Sequence, residues 1–184
     1  MAVSQRQWNL RRHGLVVEVW DRTRHGVNTS AAAELAALVL RSEGAARAEV
    51  GITFVGARRM RVLNREHRGV DRVTDVLSFP LEEADELAAG AAAGAAGASG
   101  VDQTEAAAGD ETGGPPRLLG DVVVCVWQAA RQAAADGNPL AFEVALLLVH
   151  GTLHLLGWEH DEQPGAMALR QAELLQRFDW SHLA

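Results

Sequence analysis

Apolar and polar positions alternate from Leu15 to Trp20 (LVVEVW), a pattern that predicts a half-buried β-strand. Asn28, Thr29 or Ser30 can then cap a helix whose apolar face runs through Leu35, Leu38 and Leu40. A second strand is predicted over 49–55 (EVGITFV), followed by a helix from about Ala57 to Glu66. A short strand from Val76 to Phe79 is ended by Pro80, and Gly120 to Cys125 forms a fourth strand. Trp127 to Ala135 is read as a helix stopping at Gly137. Pro139 opens a longer apolar helix through about Leu156, and Ala166 to Phe178 closes the chain as another helix. The order β-α-β-α-β-β-α-α-α describes one α+β domain: a small four-stranded mixed sheet packed by about five helices. The domain is expected over 14–181, with residues 1–13 as a flexible N-terminal extension.

Residues 82–117 break the pattern. These 36 positions hold twelve Ala, seven Gly and eight acids against one base, Arg117, and almost no large apolar side chain. Such a stretch cannot bury enough surface to offset its ordering entropy, so it reads as a disordered insertion. It is either tolerated low-complexity filler or an acidic arm that binds a partner or shields the chain itself. Its charge of −7 equals that of the whole 184-residue chain, so the rest is balanced overall but not evenly. Residues 1–73 carry thirteen arginines against seven acids, and six arginines fall between Arg58 and Arg72. That cluster is either a phosphate footprint or a solvated helix face. The single Cys125 excludes an internal disulfide framework and reads as a buried, inert thiol. The longest apolar run, near Val144 to Val149, is too short for a bilayer, and no secretory signal opens the chain. A cytoplasmic setting without a membrane follows as the expectation.

The chemistry concentrates in HGTLHLLGWEH, residues 150–160. His150 and His154 stand four apart on a predicted helix and share a face. His160 could not join them on a continuing helix. Gly157 is suited to end it in a left-handed turn and bring His160 back to the same point. Three imidazoles with a fourth position left for water is the donor count of a catalytic zinc site. The spacing also matches the metzincin proteases, whose first His is followed by a Glu base. Here Gly151 takes that place, which argues against a standard protease and would clear space beside the metal for a bulky substrate.

These blocks resemble the YbeY family, bacterial endoribonucleases of ribosomal RNA maturation. The resemblance rests on LNREHRGVDRVTDVLSFP at 63–80, LGDVVVC at 119–125, PLAFEVALLLVHGTLHLLGWEHD at 139–161 and the closing helix. The acidic insertion is longer than in typical members. The resemblance implies one zinc ion per chain, held by His150, His154 and His160 at the end of the long helix, with Arg68 as the catalytic cation. It implies cleavage of single-stranded RNA, at the 3′ end of the small-subunit ribosomal RNA, and contact with the ribosome or its proteins. A guanidinium suits such a role, because charge developing on phosphoryl oxygens calls for a rigid bidentate donor. Asp71 and Asp75 either orient Arg68 or a ligand histidine, or are turn and capping carboxylates. Glu143 is either a partner of the His150 face or a solvated residue. Trp158 is expected to pack. Two other readings share these residues: an assembly factor with a structural metal, and a metalloprotease-like hydrolase.

Overall fold

The computed structural model describes residues 6–81, 115–159 and 165–184. Its sheet has five strands in the order β1-β2-β3-β5-β4. They are β1 (Arg6–Arg12), β2 (Leu15–Asp21), β3 (Ala48–Val55), β4 (Val76–Pro80) and β5 (Arg117–Cys125). β2, β3 and β5 run parallel, while β1 and β4 close the two edges antiparallel. The helices are α1 (Thr29–Ser42), α2 (Ala57–Arg68), α3 (Val126–Asp136), α4 (Leu140–Leu155) and α5 (Ala166–Gln176), followed by a 3₁₀ turn at Trp180–His182. The α+β expectation holds, with two corrections. The sheet has five strands rather than four, because Arg6–Arg12 is an edge strand and not a flexible extension. Its alternation was hidden because, apart from Leu10, it exposes every side chain. The insertion expected to end at 117 ends earlier, since Arg117 already begins β5; residues 82–114 lie outside the described residues.

The period-two pattern gives the sheet two unlike faces. Val17 and Val19, Val50, Ile52 and Phe54, and Val122 and Val124 share one face through the strand register. They form the main core with α1, α4 and α5. Among the described residues the other face is covered over only part of its area. There Val55, Leu77, Val123 and Cys125 meet Met60 and Leu63 of α2. Among the described residues no helix is long and apolar enough to cross a membrane.

Helix ends follow from local chemistry. The Asn28 side chain accepts from the Ala31 N–H at the start of α1. α2 ends at Gly69, whose φ of 71° admits the left-handed turn that sends the chain into β4. Asp21 ends β2 by accepting from the Thr23 N–H at 2.8 Å and its hydroxyl at 2.7 Å.

Removing residues 1–12 is expected to lower stability by at least about 2 kcal/mol. Leu10 would leave the core, and β2 would become a bare edge. Chemical denaturation of the truncated chain checks this; an unchanged midpoint would show that the segment is an appendage.

Candidate metal centre

α4 lies across β4 and β5, and one residue lets it lie close. A Cβ built on Gly151 would meet Val122 Cγ1 at 2.6 Å, Ser78 Oγ at 3.2 Å and Val76 Cγ2 at 3.2 Å. The Ser78 hydroxyl donates to the Gly151 carbonyl at 3.1 Å. Gly151 therefore faces the sheet. The expectation that it opens space beside a metal for substrate is overturned, because that space is filled by β4 and β5.

With Gly151 against the sheet, His150 and His154 turn to one side of α4. Their Nε2 atoms stand 3.2 Å apart. The outer nitrogens are held from behind. His154 Nδ1 donates to the Trp158 carbonyl at 2.8 Å, and His150 Nδ1 to Gln171 Oε1 of α5 at 3.2 Å. Both contacts place the proton on Nδ1 and turn the Nε2 lone pairs toward each other. Two imidazole nitrogens at about 2.0–2.1 Å from a tetrahedral zinc are about 3.3–3.4 Å apart. The pair thus fits one edge of such a site, with the backing acceptors that ligand histidines ordinarily have. Among the described residues no group of three His, Cys, Asp or Glu is arranged to hold a metal. The expected third ligand, His160, lies outside the described residues.

The turn after α4 supplies part of this arrangement. Gly157 has φ 85°, the Trp158 N–H bonds the Leu153 carbonyl and the Gly157 N–H bonds the His154 carbonyl. This pair of bonds is a Schellman closure, and it carries the Trp158 carbonyl back to His154. The Trp158 indole packs against the main core and donates to Glu43 Oε2 at 3.0 Å. Glu43 also receives Arg170 Nε at 2.7 Å. The turn is thereby tied to the end of α1 and to α5.

The remaining sequence candidates fall in different places. Arg68 is the last residue of α2 and is exposed, while α2 itself packs through Met60 and Leu63 on the sheet face opposite α4. Its neighbour His67 packs edge-on to Phe79, with centroids 4.8 Å apart. Phe79 and Ser78 project from opposite faces of β4, so α2 and α4 pack on that edge strand from its two sides. Asp71 does not orient Arg68. It takes Arg61 bidentately at 2.8 and 2.7 Å, and that hydrogen-bonded guanidinium holds its carboxyl below the usual range. Asp75 is a structural clamp. Burial pushes its carboxyl up, but hydrogen bonds from Gln132, the Val76 N–H and Thr74 outweigh this and hold it low. Glu143 is neither solvated nor a partner of His150; it is 4% exposed in the first turn of α4. Burial, reinforced by Asp136 and Asp75, pushes its carboxyl up. Cys125 is buried and burial raises its thiol, in line with an inert role.

A helical imidazole pair braced on its outer nitrogens, on a helix packed against a mixed five-stranded sheet, marks the class as a small α+β domain with a candidate metal site. The family model described as endoribonuclease YbeY matches residues 19–179. Proteins of that name resemble the chain over most of both lengths. The one from Geobacillus kaustophilus is 39% identical, over 79% of this chain and 81% of its own. The one from Moorella thermoacetica is 44% identical, over 73% and 76%. The chain belongs to the YbeY family. The solution structure of TM1509 from Thermotoga maritima shares the fold, with a TM-score of 0.53 at 21% identity over 88% of this chain and 87% of that one.

Gly151→Ala is expected to cost about 1–3 kcal/mol despite the better helix propensity of Ala, because α4 must lift from Val122. Urea denaturation measures it. Glu143→Gln works in the other direction. The folded chain holds the Glu143 proton more tightly than the unfolded one, so its charged form costs stability at neutral pH, and that cost disappears as pH falls. The variant should melt about 2–4 °C higher at pH 8, equivalent to about 1 kcal/mol, and the gain should fade in the ordinary carboxylate range. Equal shifts at pH 8 and within the ordinary carboxylate range would contradict the burial argument.

Proposed function

We propose that this protein is a zinc-dependent endoribonuclease that cleaves single-stranded RNA phosphodiester bonds. Its work is ribosomal RNA processing, at the 3′ end of the small-subunit RNA, and ribosome maturation in the cytoplasm, with the ribosome or its proteins as partners. The endoribonuclease name of its relatives supports the reaction class. The observation that carries the metal is the 3.2 Å approach of two Nε2 atoms whose Nδ1 partners are both acceptors. His150, His154 and His160 would hold one zinc ion. When bound, the ion supplies Lewis acidity and lowers the pKa of water toward neutrality.

The chain's own residues do the rest. The Trp158 carbonyl and Gln171 fix both rings, so no ring must reorient as ligand. The Ser78 bond to Gly151 holds α4 against β4, so the imidazoles keep their height above the sheet edge. Arg68 binds the scissile phosphate from across that edge and donates to its oxygens as charge develops. The residue after the first histidine carries no carboxylate, which separates this site from a protease that uses a base there.

Arg68→Ala should keep about one zinc per chain and the wild-type circular dichroism, while cleavage of a single-stranded ribosomal RNA fragment falls about 100-fold or more. His154→Ala should lose zinc and cleavage together. If Arg68→Ala cleaves as wild type does, Arg68 has no place in the reaction. If His154→Ala unfolds outright while wild type shows no cleavage above background, the metal is structural and the protein is an assembly factor.

A further inference from the structure

The sheet face turned away from the imidazole pair carries a groove of about 590 Å³, in the range of small-ligand sites. Its lining includes Arg22, Thr53, Arg59, His67, Phe79 and Asp121. The strand register shows how the floor is made. Asp121 of β5 lies between Gly51 of β3 and Phe79 of β4, and Thr53 lies between Trp20 and Val123. Gly51 has no side chain to fill the floor; a Cβ there would collide with Asp121 Oδ1, so the carboxylate lies across the gap. The His67 and Phe79 rings form an apolar wall at the β4 end.

The groove is rich in cations. The Arg22 guanidinium sits over the Trp20 ring at 5.6 Å, which holds it along the sheet face. Arg59 projects from the first turn of α2. Among the described residues neither makes an ion pair; on α2 only Arg61 is paired, with Asp71. Two guanidiniums call for a phosphate. One carboxylate beside an aromatic wall does not suit a purely anionic ligand such as an acidic peptide. It suits a planar group with N–H donors, and a nucleobase has both the ring face and the donors.

We propose that this groove binds one unpaired nucleotide of the RNA strand, separate from the site of cleavage. Arg22 and Arg59 hold its phosphate, the edge-on Phe79–His67 pair receives its base against one ring face and one ring edge, and Asp121 accepts from its Watson–Crick edge. Guanine offers two adjacent donors to the two carboxylate oxygens, whereas uracil offers one, so guanine is preferred. The strand then passes over β4 to the imidazole pair on the other face. This rests on the endoribonuclease reading only for the identity of the strand.

The test is fluorescence anisotropy of labelled single-stranded hexamers of uridine, with and without one central guanosine, on the full chain. Wild type, Arg22→Gln/Arg59→Gln and Asp121→Asn are compared, with melting temperature and zinc content measured in parallel. Wild type should prefer the guanosine hexamer about tenfold. The double arginine variant should weaken both hexamers and lower the salt slope by about 1.4, for two contacts on a single strand. Asp121→Asn should bind both hexamers nearly equally, with fold and zinc unchanged. Unchanged affinity and salt slope in the double variant would overturn the proposal. So would GMP binding as tightly as the guanosine hexamer, since the groove would then serve free nucleotides. If wild type cleaves no RNA yet binds the hexamers with this arginine and aspartate dependence, the groove stands and the nuclease reading fails.

Discussion

The close approach of α4 to the paired strands β4 and β5 is the constraint on which the rest of the molecule depends. Gly151 is where the helix touches the sheet, and the space a Cβ would need is already held by Val122, Ser78 and Val76. Once that point is fixed, the 3.6-residue turn directs His150 and His154 sideways toward one partner position. The Schellman closure at Gly157 then decides which backbone carbonyl stands behind His154. Glu43, a single acid at the end of α1, ties that turn down through Trp158 and Arg170. The chain of dependence thus runs from one absent side chain to the tautomer of two imidazoles.

The two faces of the sheet divide the remaining work. The face under α1, α4 and α5 is predominantly apolar, and it supplies rigidity to the helix that carries the histidines. Among the described residues the other face has only α2 over it and a small apolar cluster beneath. A shallow cluster cannot cover the polar row of Thr53 and Asp121, so this face keeps a groove. β4 belongs to both sides: Ser78 faces α4 and Phe79 faces α2, through period-two alternation. A short edge strand is therefore the shared wall between the imidazole pair and the arginine-rich helix.

Much of this was legible in the sequence, for particular reasons. Among the described residues, periodicity located the five α-helices and four of the strands, because each of those buries a regular apolar set. It failed for β1, where only Leu10 faces inward and the surrounding Arg, Gln and Asn look like a solvated tail. The histidine spacing announced a shared face, and the glycine after it announced a left-handed end to the helix; both are present. The role of Gly151 was misread, since a missing side chain is equally compatible with room for a substrate and with contact to a neighbour. Only the position of the sheet decides between them. Asp71 and Asp75 were ambiguous for a similar reason: a carboxylate next to several arginines does not say which one it takes. The partner is Arg61, one helical stretch back, while Asp75 turns to Gln132 of α3.

The net charge of −7 conceals the electrostatics that matter for an RNA-binding reading. Eight acids sit between residues 82 and 111, while thirteen of the seventeen arginines precede residue 73. A polyanion responds to local potential within about a Debye length, roughly 8–10 Å at physiological salt, and not to the total. Around α2 that local potential is set by Arg58, Arg59, Arg65 and Arg68, which make no salt bridge among the described residues, against one neutralised Arg61. Every cation in the chain is Arg rather than Lys. Guanidiniums bind phosphate in a fixed bidentate geometry and stack on rings, so such a surface orients a strand as well as attracting it. Orientation is what a site divided across the two faces of one strand requires: attraction alone would bring RNA to α2, but only a strand held in register across β4 would reach the imidazoles.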